Sequence, residues 1–124
     1  MPASADRSSP GEPVAVLRAE REQLVEQVAA LEREFDRVVA ASASSNADDE
    51  HDPEGSTIAF ERAQLAAVLQ QTRERLDDVD RALERVASGG YGRCARCGRP
   101  IDPERLVARP TATLCITCAR APHP

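Results

Sequence analysis

The chain has 124 residues, with 16 arginines, no lysine and 21 acids, for a formal net charge of −5. Two Phe, one Tyr and no Trp exclude a large aromatic-packed core, and a balance rich in Ala, Glu, Arg and Leu with 30% charge favours long helices over a β fold. No apolar run approaches the ~20 residues of a membrane span, and the start Met1-Pro-Ala-Ser-Ala-Asp-Arg7 lacks the basic and apolar parts of a secretion signal. The expectation is a soluble, cytoplasmic, monomeric protein with no membrane partner.

Residues 1–12, rich in Pro, Ser, Ala, Asp and Gly, read as a disordered N-terminal tail. From residue 13 to 90 the apolar positions alternate spacings of three and four. The first run is Val14, Leu17, Arg21, Leu24, Val28, Leu31, Phe35 and Val38. The second is Ile58, Arg62, Leu65, Leu69, Thr72, Leu76, Val79, Leu83 and Val86. This is the repeat that buries one narrow seam against a partner helix. Two seams of similar length joined by a short polar stretch predict an antiparallel hairpin of helices about 30 residues, or roughly 45 Å, long. An intermolecular coiled coil is the competing reading. Arg21 and Arg62 fit the seam if their stems lie along it and the guanidinium groups reach its edge.

The connecting stretch concentrates acids: Asp48, Asp49, Glu50, Asp52 and Glu54 fall near residues 46–55. Their mutual repulsion favours a tip extended into solvent, read either as a solubilising loop or as a tip that meets a cation-rich or magnesium-containing site. His51, set among these acids, reads as an exposed loop histidine. Asp52-Pro53 suits an N-cap followed by Pro at the first helical position, with Ser56 or Thr57 as competing caps. Ser88-Gly89-Gly90 supplies the stop. Charge also divides the chain: residues 1–57 carry −8, 58–90 carry −1 and 91–124 carry +4.

All four cysteines lie in the segment 91–120, as Cys94-Ala-Arg-Cys97 and Cys115-Ile-Thr-Cys118, before a tail at 121–124. Each pair offers two thiolates from one tight turn, and the 17 intervening residues can carry the second pair round to complete a tetrahedron. Four sulfur ligands close the site, so a bound ion there is structural rather than catalytic. One Zn2+ in four thiolates leaves −2, which Arg93, Arg96 and Arg99 would offset. Such sites contribute about 10–16 kcal/mol to folding in small modules, and this segment has few apolar residues of its own. Disulfides lack a secretory context and a thioredoxin-like redox pair lacks its βαβ surroundings. Spacing alone does not separate zinc from iron.

The run from Cys94 to Cys118, with Ile101, Arg105 and Pro110 between the pairs, Leu106-Val-Ala-Arg-Pro-Thr-Ala-Thr-Leu-Cys115 within it and Tyr91-Gly92 before it, resembles the signature of the DksA/TraR zinc-finger family. Ala95 stands where that family usually has a small polar or acidic residue. The resemblance implies an all-α-dominated fold, an antiparallel coiled-coil hairpin followed by a small four-cysteine zinc finger with ligands Cys94, Cys97, Cys115 and Cys118. It also implies a non-enzymatic transcription regulator that binds RNA polymerase, not DNA, and inserts its acidic tip into the secondary channel. Asp49-Glu-His-Asp52-Pro-Glu54 matches both aspartates of the family's Asp-x-x-Asp-x-Ala tip and puts Glu54 in place of Ala. The six residues after Cys118 leave at most a vestige of the family's C-terminal helix. Because the chain has no lysine, alarmone sensitivity is not carried over.

Two other functions compete. A zinc-ribbon protein could bind nucleic acid directly through Arg93, Arg96, Arg99, Arg105, Arg109 and Arg120, although stacking aromatics are nearly absent. A scaffold could use the finger only to cap the hairpin. An enzyme is disfavoured, since no nucleophile–base pair or open metal position can be named.

Overall fold

The computed structural model describes residues 11–45 and 53–122. Four helices occur among them: α1 (Gly11–Ser45), α2 (Pro53–Ser88), α3 (Pro103–Ala108) and α4 (Ile116–Arg120). At 35 and 36 residues, α1 and α2 are longer than the roughly 30 expected from the heptads. The reason is local: Val39-Ala-Ala-Ser-Ala-Ser-Ser45 contains no Gly or Pro, and alanine is the strongest helix former. Pro13 sits in the first turn of α1, where its missing N–H has no intrahelical partner to lose, and Glu12 in the same turn faces the positive end of the helix dipole. Pro53 opens α2 with the φ the first helical position needs. Asp52, its expected cap, and the tip residues Asp48, Asp49 and Glu50, together with His51, lie outside the described residues.

Two compact units form. One comprises Gln23–Leu76; the other joins the start of α1 to residues 77–124. Within the first, Leu24, Val38, Ser42, Leu69 and Thr72 are buried, and Arg73 pairs with Glu32 across the two helices. Ser42 carries the seam one step past Val38. Thr72 turns its hydroxyl back onto the Val68 carbonyl at 2.8 Å, so a polar side chain is satisfied inside the seam. Within the second unit, Val14, Leu17, Val79 and Ala82 are buried, and Arg21 Nε donates to Asp80 Oδ1 at 2.6 Å.

Fully burying Leu17 and Val79 contributes roughly 1.5–3 kcal/mol each. The Arg21–Asp80 pair, with both side chains more than two-fifths exposed, contributes at most about 1 kcal/mol. Apolar contact therefore holds the helices together, and the ion pairs help to fix which residues face each other. One buried residue lies beside the expected seam: Ala82 is buried, next to Leu83, which is half-buried like Val28, Leu31, Leu65 and Leu76. A small side chain admits close approach of the neighbouring helix, and the leucine beside it stays half-buried.

The end of α2 follows from its glycines. Gly89 has φ +85°, a region that side chains with a Cβ rarely adopt. Its N–H reaches the Val86 carbonyl, and the Gly90 N–H reaches that of Arg85 at 2.9 Å. These paired bonds close the last turn and release the chain toward the cysteines.

Candidate metal centre

The cysteine-bearing segment is built from two small turns around a three-residue core. Cys94, Ile101 and Leu106 are buried, with Tyr91, Ala112, Leu114, Cys115 and Cys118 packed against them. Before the first turn, Arg93 and Pro100 form an antiparallel bridge, and the Cys94 N–H donates to the Arg99 carbonyl at 2.8 Å. Gly98, at φ +77°, completes that turn by donating its N–H to the Cys94 carbonyl at 3.0 Å.

The second turn is the start of a helix. Cys115 caps α4, accepting the Cys118 N–H on its sulfur at 3.5 Å, just as Cys94 accepts the Cys97 N–H at 3.5 Å. Between the turns, Asp102 caps α3 by accepting the Glu104 N–H at 2.9 Å, and Pro103 occupies the first turn. Leu106 on α3 then points into the small core.

Side chains tie the two turns together. Arg105 Nε donates to the Leu114 carbonyl at 2.9 Å, immediately before Cys115. The Tyr91 hydroxyl donates to the Pro110 carbonyl at 2.8 Å. The Ala95 N–H, inside the first turn, donates to the Thr113 carbonyl at 2.8 Å. Arg85, in the last turn of α2, donates Nη2 to the Arg93 carbonyl at 2.8 Å, so the helix end and the first turn are bonded directly. Arg85 was not among the residues singled out by spacing; the available signal was a cation in the last turn of a helix.

The outcome is a cluster in which the sulfurs of Cys94, Cys97, Cys115 and Cys118 all lie within 4.8 Å of one another. Cys97 Sγ and Cys115 Sγ are 3.8 Å apart. A tetrahedron with metal–sulfur bonds of about 2.3 Å has edges of about 3.8 Å, so the donor set suits a tetrahedral ion that prefers thiolate.

The thiols are poised unequally. The Cys97 N–H first, then those of Cys115 and Arg96, stabilise a thiolate at Cys94 and bring its pKa down to about 5. The Cys118 N–H lowers Cys115. Burial, reinforced by the neighbouring thiols, pushes Cys118 up to about 12. Four adjacent negative sulfurs need a cation to coexist.

The arginines expected to offset that charge have specific places. Arg93 Nη1 donates to the Gly98 carbonyl at 3.0 Å, and Arg96 Nη1 to that of Cys118 at 3.4 Å. Arg99 lines a depression with Cys97, Cys115 and Cys118. Of the acids expected at the tip, only Glu54 falls within a described helix, in the first turn of α2.

Long paired helices and a closed four-sulfur finger define a coiled-coil protein with a C4-type finger. Residues 89–122 match the model of the prokaryotic dksA/traR C4-type zinc finger. The RNA polymerase-binding transcription factor DksA of Caulobacter vibrioides is 41% identical over 56 residues, covering 45% of this chain and 39% of that protein. General stress protein 16O of Bacillus subtilis is 36% identical over 72 residues, covering 58% of this chain and 44% of that protein. The match thus spans under half the length of these curated relatives. The solved structure of transcription factor DksA2 from Pseudomonas aeruginosa superposes with a TM-score of 0.70 at 28% identity, covering 89% of this chain and 79% of that one. Residues 89–122 thus carry a finger of the dksA/traR C4 type. Among the described residues, no helix is long and apolar enough to cross a membrane.

Proposed function

We propose that the chain is a cytoplasmic, non-enzymatic transcription regulator that binds RNA polymerase as a monomer. In this reading the coiled coil enters the secondary channel, and Asp48, Asp49, Glu50, Asp52 and Glu54 approach the magnesium-dependent catalytic centre. One structural Zn2+ is held by Cys94, Cys97, Cys115 and Cys118. The observation that carries the reading is the pairing of a dksA/traR finger at 89–122 with two long seam-packed helices, the arrangement for which DksA2 gives a TM-score of 0.70. Similarity to RNA polymerase-binding transcription factors of Caulobacter vibrioides and Salmonella typhimurium supports the partner.

The alternative, nucleic-acid binding through the basic end, is favoured by the exposure of Arg99, Arg109 and Arg120. It is weakened by the bonding of Arg93, Arg96 and Arg105 to carbonyls of the finger itself. The test is a purified transcription assay with the native chain and an Asp49→Asn, Asp52→Asn double variant. The native chain changes output from responsive promoters, and the double variant, folded and metal-loaded, loses most of that change. Equal activity of the two would remove the tip from the mechanism.

A further inference from the structure

Among the described residues every arginine is exposed except two, Arg85 and Arg105, which are half-buried. Both spend their side chains on main-chain carbonyls, and those carbonyls hold equivalent places. Arg105 Nε donates to the Leu114 carbonyl at 2.9 Å, directly before Cys115. Arg85 Nη2 donates to the Arg93 carbonyl at 2.8 Å, directly before Cys94. Each pair of cysteines is thus entered through a peptide whose oxygen an arginine holds.

A peptide unit is planar, so fixing its oxygen limits the direction in which the next residue departs. At the first pair the plane is held from both sides. Arg85 holds the Arg93 oxygen, and the Arg99 carbonyl accepts the Cys94 N–H at 2.8 Å. The orientation of the buried Cys94 follows from these two bonds. Arg85 is also bound into the turn that it spans. Its own carbonyl accepts the Gly90 and Tyr91 N–H groups at 2.9 and 3.1 Å, and Nη2 comes within 3.5 Å of the Gly90 carbonyl. These bonds bridge Gly89, the left-handed residue that ends α2. Arg85 Nη1 is buried with no acceptor among the described residues. The guanidinium has left water on that side, and a low local dielectric strengthens the bond that it makes to Arg93.

We propose that Arg85 and Arg105 are positioning residues of the metal centre, each fixing the peptide that leads into one cysteine pair. The sulfurs are then held near their binding geometry before an ion arrives. Arg85 does this from α2, outside the segment 89–122 that matches the finger. Groups that orient metal ligands from behind typically change metal affinity by about 10–100-fold. The proposal rests on the zinc reading above and goes beyond it, naming residues other than the four ligands that set the affinity.

The experiment measures the Zn2+ affinity of the full-length protein by competition with a chromogenic chelator, and amide hydrogen exchange of the zinc-loaded form. The variants are Arg85→Ala, Arg105→Ala, Arg85→Lys and Arg105→Lys, with Arg81→Ala as the control. Arg81 lies one turn before Arg85 on α2, exposed and 3.7 Å from Asp78, so its replacement removes the same charge without touching the finger. Each alanine variant at 85 or 105 is expected to weaken Zn2+ binding about 10–100-fold, and Arg81→Ala to change it less than about twofold. Lysine keeps the charge but not the planar fork, so the lysine variants recover at most part of the loss. In Arg85→Ala the Cys94 and Ala95 N–H groups exchange faster, while those of Leu69 and Val79 in the seam stay native. If Arg105→Ala disturbs folding of the finger, Arg85, which lies outside it, still decides the matter.

Native-like Zn2+ affinity in Arg85→Ala would overturn the proposal while leaving the zinc reading intact. Equal loss in Arg85→Ala and Arg81→Ala, or full recovery in Arg85→Lys, would reduce the effect to charge and also overturn it. Exchange that quickens as much at Leu69 and Val79 as at Cys94 would make Arg85 a residue of helix stability instead. Failure of the native chain to take up one Zn2+ would overturn the zinc reading itself.

Discussion

At the sulfur cluster, Cys94 is held down to about 5 by backbone N–H groups, while Cys118 is pushed up to about 12, chiefly by burial. At neutral pH the metal-free cluster therefore keeps a proton on Cys118 that a bound cation must displace. Zinc uptake at pH 7 is expected to release protons, and affinity to fall as pH is lowered; uptake without proton release, measured with an indicator dye in weak buffer, would contradict this. Replacing Cys94 or Cys115 by Ser should abolish stoichiometric metal and unfold the finger, read by metal analysis and circular dichroism. Tyr91 acts in the opposite pH range. Burial raises its pKa above the ordinary 10.0, against a smaller lowering by Arg85. The folded finger thus binds the phenolic proton more tightly than the unfolded chain does. That stabilisation is complete below pH 10 and is lost as pH rises through the folded value. As the chain's one tyrosine, it can be titrated directly by its ultraviolet absorbance. Tyr91→Phe, which deletes the bond to the Pro110 carbonyl, should cost about 0.5–1.5 kcal/mol of finger stability and remove the alkaline transition.

At the scale of the helices, the seam and the stop make separate predictions. Leu17 is fully buried, so Leu17→Ala should cost about 2–5 kcal/mol, whereas Arg21→Ala, which removes an exposed pair, should cost less than about 1 kcal/mol. Comparable losses in thermal unfolding would mean that the ion pair, not apolar contact, holds this part of the seam. Gly89→Ala forces a Cβ into a left-handed conformation and should cost about 1 kcal/mol, although nothing lies within 4 Å of that Cβ. Gly90→Ala, where φ is not positive, is the control and should be nearly silent. Most of this scale was legible in the sequence, because a three–four spacing of Leu and Val leaves a helix one face to bury. The deeper burial of Ala82 beside Leu83 was not. Both residues keep the spacing, and the choice depends on how closely the facing helix approaches, which no local pattern encodes. Arg85 was hidden for a related reason: its acceptors, the Gly90 and Arg93 carbonyls, exist only once the chain has turned at Gly89.

For the molecule as a whole, the metal centre could be read in advance because its chemistry is local. Two Cys-x-x-Cys turns each fix a pair of sulfurs, and only the return loop from Gly98 to Leu114 had to bring them together. What that loop uses to do so, Arg105 on the Leu114 carbonyl and Tyr91 on Pro110, is long-range pairing that spacing does not specify. The acidic tip carries the functional claim through its charge and its place between α1 and α2. The finger's own arginines are partly occupied by its carbonyls, which argues against nucleic acid as the main partner. The most direct measurement is therefore binding of the zinc-loaded protein to core RNA polymerase, with naked promoter DNA as the comparison. Saturable binding to polymerase that is lost when the secondary channel is blocked, with no binding to DNA, is the predicted result. Binding to DNA that weakens steeply with salt, with none to polymerase, would contradict the account and give the basic end the principal role.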